Sequence, residues 1–324
     1  MAENIIESPI SFKPYLKPVI WGGGKICRYK DIPPTEDKIG ESWEISAVPG
    51  HVSVVDSGVY EGKTLDQLIE MFGSRLLGSK VIEKYGGKFP LLIKIIDAND
   101  NLSVQVHPDD DLAMKRHGSL GKTEMWYIID TDKDAKIYAG LSSEITPDEY
   151  ERKVADGSFT DVLATHDSAP GDVFFLPAGR VHAIGAGNLL AEIQESSDIT
   201  YRIFDYNRRD AEGNTRELHT GLAKDAIDYK VYSDYKSPAP SPDVKDSTIA
   251  ECSHFRVRRV IVEESAHLQF SPDSFTVMMC IKGEATLRSN GGDRKITAGT
   301  SLLLPATLTS VEVKGNAVLL LAQA

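Results

Sequence analysis

The sequence predicts a mainly β protein, a sandwich or barrel with a few helices. Three observations predict it: many short apolar runs, the Gly, Pro and Asn residues that punctuate them, and only three segments of helical periodicity.

In chain order, strands are expected at 42–46 (SWEIS), 51–56 (HVSVVD), 91–96 (LLIKII), 102–107 (LSVQVH), 124–130 (EMWYIID), 135–140 (AKIYAG) and 172–177 (DVFFLP). Later ones lie at 255–263, 275–283, 284–289, 301–306 and 317–322. A helix is predicted over 64–85, where Thr64 and Gln67 form a capping box and Leu65, Leu68, Ile69, Phe72 and Leu76 keep a helical period. Thr146, Pro147 and Glu149 start a second over 146–157, and a third spans 216–229.

The stretch 233–247 holds Pro238, Pro240 and Pro242 among Ser and charge, with almost nothing to bury. We place the domain boundary there: a first domain over 1–236, a Pro-rich linker over 237–247 and a β domain over 248–324. A weak repeat supports the division. Gly171-DVFFL-Pro177-Ala178 recurs as Gly299-TSLLL-Pro305-Ala306, each a strand entered at Gly and left at Pro. His182 follows the first copy, whereas Ser310 stands in the second, so the second copy is expected to hold no metal.

A length of 324 residues suits two domains. Charges of 36 Lys+Arg and 48 Asp+Glu give 36 − 48 = −12, which argues against a nucleic-acid or anionic-membrane surface. No run approaches the ~20 apolar residues of a membrane span. The acidic residues near the N-terminus argue against a secretory signal. Cys27, Cys252 and Cys280 are too scattered for a disulfide framework or zinc knuckle, and the expected address is the cytoplasm.

Three segments could carry chemistry. In 102–107, Ser103, Gln105 and His107 share the face opposite Leu102, Val104 and Val106, so Gln105 and His107 sit roughly 6–7 Å apart and converge. In 122–126, Lys122, Glu124 and Trp126 share a face. After Pro177 and Gly179, a turn can aim His182 inward. Together these residues make a divalent-metal site of nitrogen and oxygen donors with room for substrate, and the donors alone leave zinc, iron, manganese and nickel open. Lys94, inside LLIKII, faces either a strand edge or a polar cavity, because an unpaired ammonium is costly to bury. Arg202, in ITYRIF, either pairs with Asp198 or Asp205 or serves the site; its strand is expected to form a hairpin with the Glu192 segment over the metal.

Gly171–His182 fits the second cupin motif, G-x5-P-x-G-x2-H, with Asn188 lying further on than usual. The segments 89–110 (FPLLIKIIDANDNLSVQVHPDD), 121–130 (GKTEMWYIID), 176–187 (LPAGRVHAIGAG) and 199–208 (ITYRIFDYNR) resemble type I phosphomannose isomerase in its short bacterial form. VIWGGGKI (19–26) and IGESWEIS (39–46) match its N-terminal signature, and the similarity runs in order through about residues 12–230.

The resemblance implies a cupin (double-stranded β-helix jelly roll) catalytic domain followed by a second, degenerate cupin-like β domain. It implies one Zn2+ per chain on Gln105, His107, Glu124 and His182. Arg202, Glu192, Lys94 and Lys122 become catalytic residues, and Lys94, Lys122 and Arg202 also bind substrate. Glu192 lies one residue further from His182 than its counterpart in the long enzymes, whose larger helical domain is missing here. The implied reaction is the interconversion of mannose 6-phosphate and fructose 6-phosphate, with a small sugar phosphate as partner. The ligand set alone also allows a metal-dependent cupin oxygenase, and a non-catalytic sugar-phosphate-binding cupin is the other alternative.

Overall fold

The strand Leu91–Ala98 is buried along its whole length, and its two faces meet different surroundings. Leu91, Ile93 and Ile95 enter a large apolar core, while Lys94 and Ile96 look into a cavity. A strand covered on both faces needs an almost unbroken apolar run, which is what LLIKII supplies. The computed structural model describes residues 6–324 except Ala211, Ala239 and Pro242. The first five residues of the N-terminal segment and the Pro242 part of the expected linker therefore lie outside the described residues.

Leu91–Ala98 belongs to a six-stranded antiparallel sheet. Its order is Val173–Leu176, Glu124–Thr131, Asn188–Glu195, Leu91–Ala98, Ile39–Ile45 and Tyr15–Gly23. A five-stranded antiparallel sheet faces it, ordered Tyr201–Phe204, Val104–Val106, His182–Ile184, Lys136–Leu141 and Leu163–Asp167. Trp126, Ile128, Phe174 and Leu176 pack with Ile137, Ala139 and Ile184 between the two sheets. That closes the barrel expected from the strand pattern.

The third sheet contains Asp246–Glu251, Arg256–Gln269, Ser310–Gln323, Thr276–Ser289 and Gly292–Thr297, with Ser301–Leu304 also pairing Thr276–Ser289. The runs at 275–283 and 284–289 form one continuous strand, bulged between Cys280 and Lys282. Gly171 and Gly299 both have positive φ, 93° and 87°, and both lead into strands that pair with a central neighbour. Ile93, Met125 and Ile193 share one core with Phe255, Phe275 and Leu320, so the two β units are fused through apolar side chains. The N-terminal segment joins that fusion: Ile10 exchanges both backbone hydrogen bonds with Leu303 at 2.8 Å.

The helix expected over 64–85 is three pieces, Leu65–Phe72, Ser74–Leu77 and Ser79–Tyr85. Its capping box is present, but Gly73 and Gly78 take φ of 50° and 92° and break the axis. The break docks the segment: Leu77 accepts from Phe275 N, Leu76 from Ala306 N, and a Cβ at Gly78 would lie 2.2 Å from Asp273 O. Pro147–Asp156 keeps the second predicted helix with its capping box, and the third shrinks to Thr220–Ala226. Asp110–His117 is a helix the periodicity did not mark; Asp109 caps it by accepting from Leu112 N at 2.8 Å. Asn188–Glu195 and Tyr201–Phe204 do not form the expected hairpin, because they belong to different sheets. Among the described residues no helix is long and apolar enough to cross a membrane.

Candidate active site

Two rows of side chains face each other across the barrel. In the six-stranded sheet, Trp43, Lys94, Glu192 and Trp126 are successive cross-strand partners. In the other sheet, Arg202, Gln105 and His182 are partners across three strands. Partners opposite each other project to the same side, so each row presents its functional groups together. Lys122 enters just before Glu124–Thr131, and His107 just after Val104–Val106. A cavity of about 340 Å³ lies between the rows, lined by Lys94, Gln105, Lys122, Glu192 and Arg202. The sequence-derived site residues thus converge, and the polar-cavity alternative holds for Lys94.

His107, Glu124 and His182 bring one ligand atom each within 4.8 Å of one another. His107 Nδ1 lies 2.8 Å from Ile199 O and His182 Nδ1 lies 2.8 Å from Arg180 O. A carbonyl can only accept, so both Nδ1 atoms donate, and each Nε2 turns its lone pair toward Glu124, at 3.5 and 3.2 Å, where that of His107 also meets Lys122 Nζ at 3.0 Å. Glu124 is fully buried and neither oxygen accepts a well-formed hydrogen bond, although Lys122 Nζ lies 3.1 Å away. Burial pushes the Glu124 carboxyl up to about 7 despite the lysines, and holds His182 down at about 4. Neutral imidazoles beside an orphaned buried carboxylate fit a divalent cation, the charge that would satisfy all three. Gln105 turns Nε2 toward His182 Nε2 at 3.3 Å. A carbonyl ligand there requires the amide rotated by half a turn, which exchanges its two nearly isosteric ends.

Glu192 is held at both oxygens: Lys94 Nζ donates to Oε1 at 2.9 Å and Trp126 Nε1 to Oε2 at 2.8 Å. Burial alone would raise its carboxyl, but the Lys94 and Lys122 charges and these two bonds outweigh it and hold it at about 2. Burial likewise opposes the charge on Lys94, and Glu192 and Glu41 outweigh it and keep the ammonium protonated.

Arg202 pairs with neither Asp198 nor Asp205 among the described residues. Asp205 is taken by Arg208 and Arg216. Arg202 Nη1 donates to Glu217 O at 2.8 Å, and its buried Nε has no acceptor. The guanidinium therefore keeps donors free at the cavity wall.

Glu41 and Trp43 were missed as site residues. Glu41 accepts from Trp43 Nε1 at 2.7 Å and lies 3.3 Å from Lys17 and 3.7 Å from Lys94. Their i, i+2 spacing within GESWE was the available signal, since it puts both on one strand face.

Residues 11–146 match the family described as phosphomannose isomerase type I, catalytic domain, and residues 245–323 match mannose-6-phosphate isomerase, cupin domain. The mannose-6-phosphate isomerase ManA of Bacillus subtilis is 38% identical over 312 residues, covering 95% of this chain and 96% of the relative. The mannose-6-phosphate isomerase of Streptococcus mutans is 33% identical over 321 residues, covering 96% of each. The crystal structure of the Bacillus subtilis mannose 6-phosphate isomerase superposes with a TM-score of 0.84 at 31% identity, covering 97% of this chain and 99% of the other. Likeness of this extent, in sequence and in fold, makes the chain a member of the type I phosphomannose isomerase family, with a cupin fold and a second cupin-type domain.

Proposed function

We propose that the chain is a zinc-dependent mannose-6-phosphate isomerase, interconverting mannose 6-phosphate and fructose 6-phosphate by proton transfer through an enediol. The observation that carries the reading is the pair of facing rows, in which a two-histidine, one-carboxylate cluster adjoins a Glu192–Lys94 pair and an arginine with unsatisfied donors. The same donor set serves non-haem iron oxygenases, and family membership is what favours isomerisation.

In this reading Gln105, His107, Glu124 and His182 hold one zinc ion per chain, consistent with the mixed nitrogen and oxygen donors of catalytic zinc sites. Held there, such an ion would supply Lewis-acid polarisation of the substrate's carbonyl and hydroxyl oxygens. Glu192 takes the C2 proton and returns it at C1, held against the reacting carbons by Lys94 and Trp126. Lys94 and Lys122 offset the negative charge that develops on the enediolate oxygens. Arg202 offers its free donors to phosphate or enediolate. Residues 1–236 form the catalytic domain, 237–247 the connection and 248–324 a second β domain. Among the described residues, no cluster of potential metal ligands belongs wholly to 248–324. Phosphorylated sugars do not cross membranes unaided, so we place the enzyme in cytoplasmic carbohydrate metabolism.

Turnover of mannose 6-phosphate in deuterium oxide tests the chemistry. Proton transfer through an enediol leaves deuterium at C1 of fructose 6-phosphate in those turnovers in which the proton held on Glu192 exchanges with solvent before it is returned. Consumption of oxygen during the reaction contradicts it.

A further inference from the structure

Between the two β units lies a cleft of about 850 Å³ that contains cations without counter-ions. Arg28 enters it from the short helix Lys25–Tyr29, Lys282 from the bulged strand Thr276–Ser289, and Arg259 from Arg256–Gln269. Arg259 is only 8% exposed. One terminal nitrogen, Nη2, donates at 3.3 Å to the carbonyls of Ser241 and Val244, and its buried Nε finds no acceptor. Among the described residues none of these three cations forms an ion pair, whereas Lys25, also in the cleft, is spent on Asp132 at 2.9 Å. Asp130 and Asp132 line the cleft as well, and neither reaches the three.

A buried guanidinium without a carboxylate is costly, and the usual remedy is a nearby anion. This chain carries a net charge of −12 and has acidic side chains in plenty, yet among the described residues none pairs with Arg259, whose recorded partners are the carbonyls of Ser241 and Val244. Leu189 and Val318 give the cleft an apolar wall, and its volume is that of a small-molecule site. We propose that this cleft binds a small phosphorylated anion at a site separate from the substrate cavity, with Arg259, Arg28 and Lys282 taking the phosphate. The ligand would rest on Glu124–Thr131 and Asn188–Glu195, the strands whose other residues include Glu124 and Glu192.

Calorimetric titration of the intact, zinc-loaded chain with inorganic phosphate and with AMP, at constant ionic strength, tests this. Saturable binding of one equivalent is expected, retained in Arg202→Gln and weakened about tenfold or more by Arg28→Gln with Lys282→Gln. Both of those side chains are exposed, so the double variant should fold and keep isomerase turnover. Arg259→Gln should weaken binding further. AMP binding more tightly than phosphate assigns a phosphorylated metabolite that uses the apolar wall, and equal affinities assign phosphate itself. Failure of both probes to bind below about 10 mM overturns the proposal. So does binding lost with Arg202→Gln, or left unchanged in the double variant.

Discussion

Lys94 and Glu192 stand directly opposite each other in neighbouring strands, with Nζ 2.9 Å from Oε1 and both side chains almost wholly buried. Each has a second partner: Glu41 on the lysine side and Trp126 on the carboxylate side. The sheet register thus fixes the carboxylate of Glu192, the proposed proton-transfer group, against Lys94.

Glu192→Gln keeps the shape but removes the proton acceptor. We expect kcat to fall by about 10²- to 10⁴-fold, with a Tm loss from leaving Lys94 half-compensated. Lys94→Met combined with Glu192→Leu should recover much of the Tm and none of the activity, because both charges leave together. Thermal unfolding and steady-state kinetics on the same preparations check this, and near-normal kcat in Glu192→Gln would remove Glu192 from the mechanism.

Metal and activity should leave together. His182→Ala is expected to lose the proposed single equivalent of zinc, as measured by elemental analysis, and turnover with it. Adding Ser310→His should restore neither, since residue 310 is exposed at the start of Ser310–Gln323 and belongs to no candidate ligand cluster among the described residues. Two equivalents of metal per wild-type chain would contradict the account.

Arg202→Ala separates two roles. If the free donors act on charge that develops in the transition state, kcat falls much more than KM rises, and Arg202→Lys recovers part of it. A raised KM with intact kcat would assign Arg202 to the phosphate of bound substrate. Lower Tm with normal kinetics would make it structural.

His254, from the second β unit, sits 3.0 Å from Glu195, whose other oxygen accepts from Thr123 N beside the site. The adjacent Glu195 carboxylate raises the imidazole above its usual value, against the effect of burial. A raised folded-state pKa means the contribution is complete below the unfolded value of about 6.5 and is lost as pH rises through the folded value. His254→Gln should therefore lower Tm most near pH 5.5–6 and least near pH 9, by about a few degrees at the most. A Tm difference that grows with pH would contradict the pairing.

Much of the site was legible because strand alternation is strict: Gln105 with His107, and Lys122, Glu124 and Trp126, could be put on common faces from spacing alone. Pairing between strands distant in sequence was not. Asn188–Glu195 and Tyr201–Phe204 are separated by a short turn and look like a hairpin, yet they bond to different sheets. Spacing puts Glu41 and Trp43 on one strand face, but it does not say that Ile39–Ile45 lies beside Leu91–Ala98, which is what brings Glu41 to the site. The break at Gly78 was hidden for a similar reason, since it answers to Asp273 in another unit of the chain.

We propose that zinc on Gln105, His107, Glu124 and His182 enables the isomerisation. This is tested most directly by the rate of fructose 6-phosphate formation from mannose 6-phosphate before and after chelation, with metal content measured on the same samples. We predict that turnover falls in proportion to zinc removed and returns when one equivalent per chain is restored. Full turnover from a chain stripped of metal would contradict the account.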